Sequence, residues 1–102
     1  MKDKPLQSLA GDFRGRAEAH VAKLSVFRDQ AIRQKDAARL KTIFAILGEF
    51  QTAIFLFNVA MVEQFSPRER ARICEKGLEH YTEAMDRLFS ARMSGASLHY
   101  HY

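Results

Sequence analysis

The chain has 102 residues, 47% of them apolar and 27% charged, with a formal net charge of +4 at neutral pH. These fractions exclude a disordered or fibrous chain, and the length suits one compact domain with one core. A lone cysteine, Cys74, excludes a disulfide scaffold and points to a reducing, cytoplasmic setting.

The opening Met1-Lys2-Asp3-Lys4-Pro5 leads into a mixed polar segment and carries no apolar signal-like run. Proline occurs only at Pro5 and Pro67, and no stretch alternates with period two for long. The chain therefore reads as all-α, an antiparallel three-helix bundle over residues 1–93 followed by a tail, 94–102.

The first helix is expected over residues 8–34. Its apolar stripe is Leu9, Phe13, Ala17, His20, Leu24, Phe27 and Ala31, spaced by threes and fours. The junction Gln34-Lys35-Asp36 holds neither glycine nor proline, and only Asp36 suits an N-cap. Phase supplies a second argument. Continued unbroken, this stripe emerges on the side of Glu49, away from the apolar face of the next helix. A break at 34–37 removes the conflict; the alternative is a continuous or swapped helix 1–2 in a dimer.

The second helix is expected over 37–64. On a helical wheel Leu40, Ile43, Phe44, Leu47, Phe50, Ile54, Phe55, Phe57, Met61, Val62 and Phe65 form one wide apolar arc. Lys41, Ala45, Glu49, Thr52, Leu56, Ala60 and Glu63 lie opposite. A membrane span is apolar all round and a mid-helix Glu is costly there, so the segment reads as the centre of a soluble bundle, not as a membrane helix.

The third helix is expected over 67–93. Ser66-Pro67-Arg68-Glu69 has the form of a capping box with proline in the first helical position. Its inner face reads Ile73, Cys74, Gly77, Leu78, Tyr81, Ala84, Met85, Leu88 and Phe89. The tail ends Leu98-His99-Tyr100-His101-Tyr102, either disordered or docked in a groove of the bundle.

Four polar residues fall within the apolar faces: His20, Gln51, Asn58 and Tyr81. An antiparallel turn near residues 35–36 sets His20 opposite Gln51 and Phe13 opposite Asn58. A turn near residue 66 sets Gln51 level with Tyr81 and Asn58 with Cys74. These residues are expected to form a buried polar layer that fixes register and partner choice.

No Gly-rich phosphate loop, nucleophile elbow or helical Glu-x-x-His pair is present. The expectation is a protein that is not an enzyme, with no cofactor and no metal. Residues 1–41 hold ten Lys/Arg against five Asp/Glu. Arg14, Arg16, Lys23, Arg28, Arg33, Arg39 and Lys41 are the residues a nucleic-acid-associated protein would use, and that is the alternative function. The preferred reading is a protein-interaction module, a regulator, adaptor or small chaperone-like subunit. Phenylalanine density in and beside the second helix points to a homodimer, with Phe50, Phe57, Met61, Met85 and Phe89 as the partner-facing patch.

Overall fold

A computed structural model describes residues 3–93, and the tail 94–102 lies outside the described residues. Three helices pack against one another: α1 (Asp3–Arg33), α2 (Ala37–Ala60) and α3 (Pro67–Met93). The all-α three-helix bundle expected from the sequence is therefore present. Both outer helices lie along α2 and touch each other much less, giving a rod of 49 × 22 × 18 Å.

Two helix ends differ from expectation. α1 begins at Asp3 instead of residue 8, because Pro5 sits in the first turn, where a missing N–H costs no hydrogen bond. α2 stops at Ala60 instead of residue 64. Its last turn tightens, with the Met61 N–H bonding to Asn58 O at 3.2 Å and the Val62 N–H to Val59 O at 3.0 Å.

The break between α1 and α2 is a Schellman closure. Lys35 takes the left-handed conformation, φ 55°. Its N–H bonds to Ile32 O at 3.1 Å, and the Asp36 N–H bonds to Ala31 O at 2.9 Å. Asp36 then serves the next helix, its carboxylate accepting the Arg39 N–H at 3.1 Å. One residue thus closes α1 and opens α2, so three residues suffice for the reversal.

The core follows columns of residues spaced by seven. Ala10, Ala17, Leu24 and Ala31 are fully buried on α1. Ile46, Ala53 and Ala60 form the column on α2, and Arg70, Gly77, Ala84 and Ala91 the column on α3. The alanines and Gly77 in these columns let helix backbones approach closely, with the larger Phe50, Phe57, Ile43 and Leu88 filling the space beside them. Closeness is tightest at Gly77: a Cβ there would stand 2.7 Å from Phe57 Cε1 and 2.9 Å from Cδ1. Tyr81 bridges the two halves of the core, packing against both the Phe50 and the Phe57 groups.

Two stability changes follow. Gly77→Ala gains up to about 1 kcal/mol of helix propensity. It nevertheless loses about 1–3 kcal/mol net by displacing the Phe57 ring. Urea titration checks this, and in a Phe57→Leu background the loss should shrink or reverse. Lys35→Gly relieves about 1–2 kcal/mol of left-handed strain against some added chain entropy. It should raise stability by about 0.5–1 kcal/mol and the melting temperature by a few degrees.

Candidate interaction surface

Helix α2 has three sides. Toward α3 it places Glu49, whose Oε2 lies 3.1 Å from His80 Nδ1, together with the Ala53 and Ala60 surface that packs on Cys74. Toward α1 it places Phe50, stacked on the His20 ring at 5.0 Å between centroids, and Asn58, whose Oδ1 accepts an Arg14 N–H at 3.0 Å.

The third side faces outward. It carries Phe44, Gly48, Gln51 and Phe55, with Asn58 at its α1 edge, all exposed, at alternating steps of four and three. Phe55 is 65% exposed and Phe44 51%, and Val62 and Phe65 are exposed in the turn that follows the helix. Between residues 42 and 62 the only charged residue is Glu49, which turns toward His80. Lys41 and Glu63 mark the two ends. A Cβ built on Gly48 would meet no atom within 4 Å, so the middle of the strip is open. By length and composition α2 resembles a membrane span, with mean hydropathy 1.7, although 39% of that window is buried inside the bundle.

This corrects two expectations. The patch proposed from sequence does not exist as a surface. Phe50 and Phe57 are 0% exposed, Met61 and Met85 are half-buried against the core, and only Phe89, 57% exposed on α3, faces water. The polar layer is half right. His20 and Tyr81 do converge, ring centroids 6.4 Å apart, but Phe50 completes the group, 5.7 Å from Tyr81, while Gln51 and Asn58 are exposed. Likewise Phe13 meets Phe57, at 6.2 Å, and not Asn58. Levels along the helices were read correctly and the facing residue was missed by one. One residue is a 100° turn on a helix, enough to move a side chain from core to solvent.

The aromatic group lies at the meeting of all three helices, with Phe13 edge-on to Tyr81 at 5.1 Å. Arg16 caps it, its guanidinium 4.9 Å from the Phe13 ring centre. Burial pushes the Tyr81 hydroxyl above its ordinary pKa, partly opposed by Arg16. Burial, helped by nearby Lys23, holds the His20 imidazole below its ordinary value. Burial likewise raises the Cys74 thiol, which suits an inert packing role more than a reactive one.

The basic residues are dispersed. Arg14 engages Glu18 and Asn58, Arg28 engages Asp29, and Arg39 reaches Gln34 Oε1 and the Phe27 ring. Lys23, Arg33 and Lys41 are exposed. Sequence reasoning missed Arg70, which is fully buried and donates from Nε to Ala60 O at 2.9 Å, sealing the carbonyl end of α2. Its place in the seven-residue column with Gly77, Ala84 and Ala91 was the available signal. A shallow groove of about 600 Å³ between α2 and α3, lined by Lys41, Thr42, Glu83, Asp86, Arg87 and Ser90 among others, mixes both signs of charge. Among the described residues no three His, Cys, Asp or Glu side chains converge as metal ligands would.

No protein-family model, curated protein sequence or solved structure matches this chain.

His20 gives a pH signature. Its folded-state pKa lies below the ordinary 6.5, so the unfolded chain takes up the proton first. Stability is therefore fully present above that value and is lost as pH falls through and below it. Chemical unfolding between pH 7.5 and 5.5 should show this decline, and His20→Gln should flatten it while leaving the His80–Glu49 pair in place.

Proposed function

We propose that the chain is a non-enzymatic protein-interaction module whose binding surface is the outward strip of α2. One observation carries this reading: a face of α2 about four turns long, from Phe44 to Asn58, exposes Phe44 and Phe55 and carries no charged side chain of its own. Covering a large apolar side chain is worth about 1.5–3 kcal/mol, so the strip offers a substantial driving force for association. Its rigidity helps, since α2 is held on both flanks and orders no further on binding. The two amides, Gln51 and Asn58, supply hydrogen-bonding specificity within an otherwise greasy surface.

Such a surface suits a regulator, adaptor or small chaperone-like subunit that receives an amphipathic helix. A reducing compartment such as the cytoplasm is the proposed setting, given a single cysteine and that one buried. The nucleic-acid alternative has weaker support, because Arg14, Arg28 and Arg39 are engaged with neighbours in their own chain.

Site-specific photo-cross-linking in cells tests the reading. A benzophenone amino acid at Phe55 should yield discrete protein adducts, whereas the same group at exposed Glu75 on α3 should not. Absence of any protein adduct at residue 55 would end it.

A further inference from the structure

We infer that the groove between α2 and α3 is the seat of this chain's own segment Leu98-His99-Tyr100-His101-Tyr102, laid along it in extended form and running back antiparallel to α3. The groove is distinct from the outward strip of α2, so the two surfaces are tested separately.

Position is the first support. The groove holds about 600 Å³ and extends from Lys41, Ser90 and Ala91 at one end to Ile46 and Glu83 at the other. α3 ends at Met93, so the chain leaves its helix beside the Ala91 end of this groove. From Glu83 to Ala91 a helix rises about 12 Å. The nine residues after Met93 reach at most about 30 Å when extended. Ser94 to Ser97 are all small, and Gly95 suits the left-handed turn that follows a helix end, so these four allow the reversal. The five that follow span about 16 Å, enough to run the length of the groove.

Side-chain chemistry is the second. In an extended segment alternate residues share a side, so Leu98, Tyr100 and Tyr102 fall on one and His99 and His101 on the other. The groove is two-sided in the same way. Buried Ile46 and Ala91, with exposed Ala45 beside them, give an apolar seat for the leucine and the two rings. The α3 rim carries Glu83, Asp86 and Arg87, all exposed. Glu83 accepts an Arg87 N–H at 3.2 Å, while Asp86 and, across the groove, Lys41 have no hydrogen-bond or ion-pair partner among the described residues. An imidazole N–H on the outer side of the segment can donate to Asp86, and the Lys41 ammonium can rest on a tyrosine ring. A tethered segment meets its groove at an effective concentration of about millimolar, so a shallow seat suffices.

Disulfide capture in the full chain tests the inference. Tyr100→Cys is combined with Ala45→Cys in the groove or with Val26→Cys, about level with Ala45 but 56% exposed on the outer face of α1. Native Cys74 is buried and stays in both. Under mild oxidation the 45–100 bond should form within one chain at least about tenfold faster than the 26–100 bond. Equal rates overturn the inference. So does a 45–100 bond that joins two chains, which would put the segment in the groove of a second copy. Chymotryptic cleavage after Tyr100, with all other residues native, gives an independent readout. Ala45→Trp fills the groove and should speed cleavage by about tenfold, whereas Val26→Trp should leave it unchanged. Both positions are exposed, so far-UV circular dichroism should stay constant. No acceleration by Ala45→Trp, or an equal one by Val26→Trp, overturns the inference.

Discussion

The close approach of α3 to α2 governs this bundle. Gly77 lies so near Phe57 that not even a methyl group fits between them unmoved. The column that continues from it, Ala84 and Ala91, carries only methyl side chains. To meet such a surface α2 must present its own short residues, Ala53 and Ala60, and the rotation of α2 is then fixed. Phe50 and Phe57 swing into the space between the three helices, where they meet His20, Phe13 and Tyr81. Phe44 and Phe55 swing out. The exposed strip is a consequence of how tightly the inner side is packed.

The two chain reversals solve one problem by different means. At residues 34–36 the solution is local, with backbone bonds across a left-handed residue and a carboxylate that caps the next helix. At residues 61–66 the decisive group comes from the next helix: the Arg70 guanidinium enters the joint and takes the Ala60 carbonyl. Burying a cation is expensive, and the helix C-terminal dipole with its charge-assisted bond offsets part of that cost.

Much of the architecture was legible. Helix count, the junction at Asp36, the Ser66 cap, now seen as a 3.2 Å bond from the Glu69 N–H, and the antiparallel levels all follow from periodicity and capping chemistry. The rotation of α2 was not legible from apolar volume. A wheel weighted by bulk centres the buried face near Leu47 and Phe65, because eleven large side chains outvote Ala53 and Ala60. Packing weighs shape as well as size, and the alanines win because α3 offers them a matching surface. The misplacement of Gln51 and Asn58 as interior residues, and of Phe50 and Phe57 as surface ones, comes from this single rotational error.

Arg70 has one more implication. Because the α2–α3 corner is held from within, Glu63 and Gln64, which lie before the Ser66 cap, bear little structural responsibility, and both are exposed. Chain length at that corner is therefore nearly free to vary, since closing a slightly longer loop adds only a logarithmic entropy cost. It is the point at which this fold best accepts inserted sequence, next to the strip on α2 yet outside its helix.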